Sequence, residues 1–322
     1  MATELTAEQK QILDMCHRVI REIKKVIIGK DEIIIKVLLS VLAGGHVLIE
    51  DIPGVGKTTL ALALSKALSL DYNRVQFTPD VLPTDITGFM ILNRDTGTFE
   101  YKKGAAMTNL FLADEINRTS SKTQSALLEV MEEGRVTVDG ETHKVPDPFI
   151  VIATQNPIGS IGTQMLPESQ MDRFIVRLTM GYPSFQNEVD MLRSKQSRVS
   201  IDAVEPVASA ELLSQAVKIT EEIFVSDPIF SYIAALAAET RKHQYIKLGL
   251  SPRGAIALLR ITRATALLNG RSYVLPDDTL YAFRDVCRHR ILLNPKAKLN
   301  GANIDSVLNE IVKKIPVPRV NV

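Results

Sequence analysis

The sequence predicts an α/β fold in which a largely parallel β-sheet with flanking helices is followed by a small all-α domain. In the first half of the chain, five apolar runs recur between segments of helical periodicity: HVLIE, RVQF, NLFLAD, FIVIAT and RFIVRLTM. Continuous apolar runs bounded by turn signals are typical of strands covered on both faces, as in a parallel sheet. After GYPSF at residues 181–185 such runs largely stop and helical patterns dominate. We therefore expect an α/β domain at residues 1–183 and a helical domain at residues 184–322.

The elements follow one another in a regular order. Residues 33–49 predict a buried helix and then the first strand, because a pair of glycines separates the two. Helical patterns follow the first and third apolar runs, in TLALALSKAL and EINRTSSKTQSALLEVMEE. In the second domain we expect Asp227 to cap one helix, and a second helix to start at Ser251 and end at Gly270.

Composition excludes several classes of protein. The chain of 322 residues has a formal net charge of +1, so it carries no strong nucleic-acid signal. Its two cysteines, Cys16 and Cys287, have neither the spacing of a zinc site nor that of a disulfide framework. Lys36 and His46 interrupt the longest apolar stretch, and the N-terminal residues do not resemble a secretory signal. We expect a cytoplasmic protein without a transmembrane segment.

The stretch VLIEDIPGVGKTT at residues 47–59 predicts a phosphate-binding loop. A strand, a glycine-rich loop and a helix in this order direct backbone N–H groups and the helix N-terminus toward an anion. Lys57 would then reach the terminal phosphates of a nucleotide, and Thr58 would bind Mg²⁺. Asp51 stands where the pattern G-x-x-x-x-G-K-[ST] has its first glycine, but that position lies at the strand end, away from the tightest turn. The alternative is an ordinary glycine-rich turn with an exposed lysine.

Two further strand ends carry candidate catalytic residues. NLFLADEI ends in Asp114 and Glu115, where Asp114 would hold Mg²⁺, partly through water, and Glu115 would polarise the attacking water. The alternative for this pair is an acidic helix N-terminus. FIVIAT is followed by Gln155 and Asn156, and Asn156 would lie at the carboxyl edge of the sheet and orient the water. The alternative there is an Asn-Pro turn with Pro157.

Taken together, these stretches resemble the MoxR family of AAA+ ATPases. The resemblance is carried by the loop and by RVQFTPDVLPTDITG, LADEINRTSSKTQSALLEVMEEGRVTVDG, VIATQNP, LPESQMDRF and GLSPRGAIALLRITRATALLNGRSYVLPDD. It implies an AAA+ P-loop NTPase core followed by a helical lid, with ATP and Mg²⁺ as cofactors. The residues that it implies in nucleotide binding at the loop are Pro53, Gly54, Val55, Gly56, Lys57, Thr58 and Thr59.

The resemblance also implies roles for residues far from the loop. Arg173 in MDRF is similar to the arginine finger, which completes the site of a neighbouring subunit, and Arg253 in LSPRG is similar to the second sensor. Ile28 and Gly29 match the segment that lines the adenine pocket in the family. From the residues alone, Arg173 beside Asp172 is equally consistent with a local ion pair.

Two insertions resemble those of the AAA+ branch that includes magnesium chelatase. They lie at about residues 88–104 and 134–148, and both have the turn residues and alternating pattern of β-hairpins. In ring-forming relatives such hairpins face partners or the central pore. The alternative is a pair of surface hairpins of no special role.

The function that the resemblance implies is a hexameric ring ATPase that matures or remodels a client protein, often one with a von Willebrand factor A domain. A second function to consider is a motor acting on DNA or RNA through basic residues of the hairpins: Arg94, Lys102, Lys103, Arg135, His143 and Lys144. No aromatic stacking platform accompanies these charges. A third is the ATPase subunit of a metal chelatase, and a fourth is a nucleotide-gated scaffold with negligible turnover.

Overall fold

The computed structural model describes residues 4–156, 165–196 and 200–319. Its strands are β1 His46–Glu50, β2 Tyr72–Gln76, β3 Gly88–Leu92, β4 Phe99–Lys103, β5 Leu110–Asp114, β6 Arg135–Val138, β7 Glu141–Lys144, β8 Ile150–Gln155, β9 Phe174–Leu178, β10 Ile246–Leu248 and β11 Leu292–Leu293. Its α-helices are α1 Ala7–Lys24, α2 Asp31–Leu42, α3 Lys57–Ala67, α4 Pro83–Thr87, α5 Ser121–Glu133, α6 Glu168–Met171, α7 Phe185–Gln196, α8 Ala210–Glu221, α9 Asp227–Lys242, α10 Pro252–Leu268, α11 Pro276–Cys287, α12 Pro295–Leu299 and α13 Ile304–Lys314.

Five parallel strands form the central sheet, in the order β2-β5-β8-β1-β9. Every residue of β5 and β8 is buried, as expected for central strands covered on both faces. Because the strands are parallel, their carboxyl ends meet at one edge of the sheet. The loop after β1, the acidic pair at the end of β5 and the residue after β8 therefore lie side by side. The predicted α/β fold class is confirmed.

Hydrophobic cores cover the two faces of the sheet. One contains Leu48, Phe111 and Val151 from the strands together with apolar residues of α4 and α5. The other contains Val47, Leu112 and Ile152, and it continues without a break into α1, α2, α3 and the helices after residue 200. Alternate residues of each strand thus contribute to opposite cores, which fixes the register of the sheet.

The second part of the chain is mainly helical. Ser251 caps α10 by accepting a hydrogen bond from the Gly254 N–H, and the helix ends at Leu268, as its sequence signals predict. The cap of α9 lies one residue earlier than expected, because Ser226 has the extended N-cap conformation and Asp227 is already the first helical residue. The strands β10 and β11 add a short antiparallel pair that the sequence pattern does not predict.

Antiparallel hairpins occupy both predicted stretches. The pairs are β3 with β4 and β6 with β7. The rings of Tyr101 on β4 and His143 on β7 stack with centroids 3.8 Å apart and an interplanar angle of 7°. This stack joins the two hairpins, so they form one surface feature.

Across the three described ranges, no helix combines the length and the apolar character that crossing a membrane requires.

Candidate functional site

The loop between β1 and α3 has a backbone that requires glycine at two positions. Gly54 and Gly56 have φ angles of +85° and +95°, which an L-residue with a side chain rarely adopts. A Cβ atom at either position would meet no atom within 4 Å, so both residues border open space. Gly56 is also the N-cap of α3, which means that the first N–H groups of that helix face the same space. The loop therefore provides a backbone cradle for an anion.

Lys57, the first residue of α3, is held at the loop. Its side chain is only 8% exposed, and Nζ donates hydrogen bonds to the carbonyl oxygens of Asp51 at 2.7 Å and Ile52 at 3.2 Å. Burial lowers the pKa of Lys57, while the charges of Asp51, Asp114 and Glu115 act to raise it. A phosphate would supply the anionic partner that these two neutral carbonyls do not.

Asp51, the exception to the loop pattern, uses its carboxylate to bind backbone N–H groups. Its buried carboxylate accepts a hydrogen bond from the Ile52 N–H at 2.8 Å and another from the Gly181 N–H at 2.5 Å. Gly181 belongs to the segment between β9 and α7, whose carbonyl oxygens at residues 180–182 also accept hydrogen bonds from Lys30 Nζ. The carboxylate thus ties the loop to the connection between the two parts of the chain.

Asp114 ends β5 beside the loop. Its Oδ1 accepts a hydrogen bond from the Thr154 hydroxyl at 2.6 Å, and its Oδ2 accepts one from Arg74 Nη2 at 2.7 Å. Thr154 also accepts a hydrogen bond from the Glu115 N–H at 2.9 Å, so one hydroxyl orients both acidic residues. Thr154 and Arg74 carry no recognisable signal in the sequence, because their proximity to Asp114 depends on the order of the strands.

Glu115 adopts a strained conformation. It has a left-handed backbone with φ of +57°, which is uncommon for a residue other than glycine. Its carboxylate accepts hydrogen bonds from Asn156 Nδ2 at 3.0 Å and from Arg118 Nη1 at 2.8 Å. The hydrogen bond from Arg118 is the main cause that lowers the pKa of Glu115, and the hydrogen bond from Asn156 lowers it further. Burial acts in the opposite direction. The side chain is therefore kept ionised, as a base that accepts a proton must be.

Residues of the loop, the acidic pair and Asn156 line a single cleft of about 300 Å³. Its lining is Pro53, Gly54, Gly56, Lys57, Thr58, Thr59, Asp114, Glu115 and Asn156. Val55 is half-buried and packs against the core instead. Pro157, on which the alternative Asn-Pro turn depends, lies outside the described residues.

The donor set of the cleft fits a nucleotide with Mg²⁺. The hydroxyl of Thr58 and the carboxylate of Asp114 are hard oxygen ligands, which Mg²⁺ prefers. Within the described ranges, no group of three or more His, Cys, Asp and Glu side chains could hold a metal ion by itself. A site with few protein ligands is typical of Mg²⁺ that is bound together with substrate phosphates.

Known proteins share this architecture. The model of the ATPase family associated with various cellular activities (AAA) matches residues 46–176, and that of the AAA lid domain matches residues 238–311. The chain is 46% identical to the protein YeaC of Bacillus subtilis over 97% of its own length and 98% of that protein. It is 36% identical to Chaperone MoxR1 of Mycobacterium tuberculosis over 95% of its own length and 83% of that protein.

The chain belongs to the MoxR family of AAA+ ATPases. A crystal structure of a protein assigned as an ATPase in Cytophaga hutchinsonii superposes with a TM-score of 0.89 and is 36% identical, with 97% of each chain covered.

The two predicted arginines of this MoxR-family chain lie at the other end of the sheet. Arg173 directly precedes β9, whose first residue pairs with His46 at the amino end of β1, whereas the loop follows the carboxyl end of β1. Arg253 is in the first turn of α10 and shares with Arg173 a second cleft that has no lining residue in common with the first. The structure thus brings Arg173 and Arg253 together and separates both from Lys57 and Glu115.

Arg173 does not pair with its neighbour Asp172. Asp172 accepts hydrogen bonds from Arg290 Nε at 2.5 Å and from the Ser251 hydroxyl at 2.9 Å. Arg173 Nε instead donates to Glu132 at 2.7 Å. The alternative of a local ion pair is therefore not what the structure shows.

Ile28 and Gly29 lie in the turn between α1 and α2, and they are not part of the lining of the cleft at the loop. Gly29 has φ of +70°, and a Cβ atom there would come within 2.0 Å of the Asn187 side chain on α7. This turn therefore packs closely against the start of the helical part, on the side where Lys30 holds the segment at residues 180–182.

Proposed function

We propose that this MoxR-family chaperone-type ATPase hydrolyses ATP with Mg²⁺ between neighbouring subunits of a homo-oligomeric ring, and that hydrolysis drives remodelling of a client protein. The observation that carries the proposal is the division of the catalytic residues between two clefts at opposite ends of one sheet. The loop, the acidic pair and Asn156 lie at the carboxyl end, whereas Arg173 and Arg253 lie at the amino end.

Each residue of the first cleft has a role that its position supports. Lys57 exchanges its two carbonyl partners for the terminal phosphates, and the backbone of Gly54 and Gly56 surrounds them. Thr58 and Asp114 would hold Mg²⁺, which would neutralise charge on the phosphates. Glu115 accepts the proton of the attacking water, while Asn156 orients both the water and that carboxylate. We assign adenine contact to Ile28 and Gly29, on the basis of the family pattern.

The distance across the sheet supports completion of the site by a neighbour. β1 alone spans about 13 Å at roughly 3.3 Å per residue, which exceeds the reach of an arginine side chain. Arg173 and Arg253 therefore serve the cleft of an adjacent subunit, where their charges stabilise the transferring phosphoryl group. Such a head-to-tail contact closes into a ring, and we propose the hexamer that is usual in the family.

We propose the client on the basis of the family and not of the geometry of the two clefts, and we also propose a cellular compartment. We propose a client with a von Willebrand factor A domain, contacted through the joined hairpins at about residues 88–104 and 134–148. Residues 1–183 would act as the nucleotide-binding domain and residues 184–322 as the helical lid. Both cysteines are free and buried, which suits a reducing compartment, and we place the protein in the cytoplasm.

The proposal is tested by the rate of Mg²⁺-dependent ATP hydrolysis per subunit over a wide range of protein concentration. We expect the rate to rise as subunits assemble, because each cleft lacks its arginines until a neighbour arrives. A flat rate calls for titration with Arg173→Ala subunits. If these leave the wild-type rate unchanged, each chain holds a complete site and the ring proposal is wrong. Absence of hydrolysis under all conditions would contradict the ATPase itself.

A motor acting on nucleic acid has less support. His143 stacks on Tyr101, Arg135 forms an ion pair with Glu133, and Lys102 Nζ lies 5.5 Å from the centre of the Phe89 ring. Three of the six basic residues considered for nucleic-acid binding therefore already have partners. ATP hydrolysis that responds strongly to DNA or RNA at low salt would favour a nucleic-acid motor.

A further inference from the structure

Glu132 links the two arginines of the second cleft. It lies in the last turn of α5, and each of its carboxylate oxygens accepts one hydrogen bond. Oε2 is 2.7 Å from Arg173 Nε, and Oε1 is 3.1 Å from Arg253 Nη1. The hydrogen bond from Arg173 is the largest cause that lowers the pKa of Glu132. One side chain of the first domain thus holds an arginine from the same domain beside an arginine from the helical part.

These contacts leave most of both guanidinium groups available. A guanidinium carries five N–H donors, and Glu132 accepts one from each arginine. Among the described residues, neither Nη of Arg173 and neither Nε nor Nη2 of Arg253 has a hydrogen-bond partner. The side chains of Arg173 and Arg253 are 27% and 44% exposed, so these donors are accessible. Glu132 therefore holds the arginines without consuming the donors that a phosphate would need.

The surrounding cleft favours an anion. Its volume is about 440 Å³, and its lining includes four arginines and two carboxylates. One of these carboxylates, Asp172, is occupied by Arg290 and Ser251. Burial lowers the pKa of His46 to about 4, so this residue adds no charge near neutral pH. The cleft consequently has an excess of positive charge.

We propose that Glu132 is a positioning residue that sets Arg173 and Arg253 side by side, at a spacing suited to two oxygens of one phosphoryl group. The proposal rests on the function proposed above, in which both arginines serve the nucleotide of a neighbour. Two adjacent guanidinium groups repel each other, and a carboxylate between them removes that repulsion. The oxygens of a carboxylate and those of a phosphoryl group are similarly spaced, which is why arginine binds both with the same planar geometry.

The role is one of geometry more than of stability. Glu132 is itself 41% exposed, and ion pairs at such positions contribute little to folding. Glu132→Gln keeps the size of the side chain and one acceptor oxygen, but it loses the charge and the second acceptor. We therefore expect this variant to fold with an unchanged Tm and to bind ATP normally in its own cleft.

The test mixes two inactive subunits. Lys57→Ala subunits cannot use nucleotide in their own cleft, but they keep the arginines that serve a neighbour. Arg173→Ala subunits keep an intact nucleotide cleft, but they lack one of the arginines that a neighbour needs. A mixture should recover hydrolysis, since the first kind supplies arginines to the second. Adding Glu132→Gln to the Lys57→Ala subunit should lower the recovered kcat about tenfold with little change in KM. Adding it to the Arg173→Ala subunit should leave the recovered rate unchanged.

A matched control is Glu133→Gln, because Glu133 is the next residue and, within the described part of the chain, pairs with Arg135 only. This change should have no effect in either subunit. Suppose that the mixture recovers activity but Glu132→Gln has no effect, or has the same effect in both kinds of subunit. The positioning role of Glu132 is then wrong, while the proposal that the arginines act on a neighbouring subunit stands. If the mixture recovers no hydrolysis, the arginines do not act on a neighbouring subunit, and the positioning role of Glu132 is overturned as well.

Discussion

Removal of the Asp51 carboxylate should destabilise the protein, although Asp51 is the residue that departs from the phosphate-loop pattern. The side chain is 6% exposed and accepts hydrogen bonds from two backbone N–H groups, Ile52 at 2.8 Å and Gly181 at 2.5 Å. A hydrogen bond to a charged group contributes about 1.5–3 kcal/mol, and a buried donor left unpaired costs a similar amount. Asp51→Ala should therefore lower the free energy of unfolding by about 3–5 kcal/mol.

The same reasoning predicts the effect of two further substitutions. Asp51→Gly restores the glycine of the pattern, yet it should cost at least as much as Asp51→Ala, because glycine also increases the freedom of the unfolded chain. Asp51→Asn retains one acceptor oxygen, so it should lower the free energy of unfolding by about half as much as Asp51→Ala.

Urea unfolding followed by circular dichroism measures these differences. A suitable control is Asp14→Ala, since Asp14 is exposed on α1 and its carboxylate has no hydrogen-bond partner in the described chain. The reasoning would be refuted if Asp51→Ala and Asp14→Ala unfolded within about 0.5 kcal/mol of each other, which is the usual effect of a surface substitution.

Three more predictions concern the two clefts. Glu115→Gln should lower kcat by about 10²- to 10⁴-fold while ATP binding persists, as hydrolysis and equilibrium binding assays would reveal; normal turnover would exclude Glu115 as the base. Because Arg118 lowers the pKa of Glu115, activity should be lost only as pH falls below the ordinary range of a glutamate. In Arg118→Ala that acidic limb of the pH–kcat profile should move to higher pH, and an unmoved limb would contradict the pairing. Asp172→Ala leaves the buried guanidinium of Arg290 without its carboxylate and should destabilise the protein by about 3 kcal/mol in urea unfolding, whereas a loss below 1 kcal/mol would argue against this ion pair.

Much of the fold and the first cleft could be predicted because the signals are local. The buried strands appear as continuous apolar runs, and the glycines of the loop stand between a strand and a helix. Asp114 ends one strand and Asn156 directly follows another, and in a parallel sheet the carboxyl ends must meet. Their assembly into one cleft with Lys57 therefore follows from the chain order of strand, loop and helix.

The second cleft could not be predicted in this way. Glu132 and Arg253 are separated by more than a hundred residues in the sequence, and no pattern relates a helix C-terminus in one domain to a helix N-terminus in another. The same holds for Asp51 and Gly181, and for the hydroxyl of Thr154 beside Asp114. These contacts exist only once the strands have their order and the helical part has packed on the sheet.

The sequence by itself determined the fold class, the glycine-rich loop and the acidic strand end, since each depends on residues that are neighbours along the chain. Only the tertiary structure decided that Asp51 serves the connection between the two parts of the chain and that Arg173 pairs with Glu132 and not with Asp172. It also decided that both arginines line a cleft that has no residue in common with the cleft at their own loop. The physical reason is that a side chain chooses its partner by distance in the packed molecule, and packing brings together residues whose separation along the chain carries no signal.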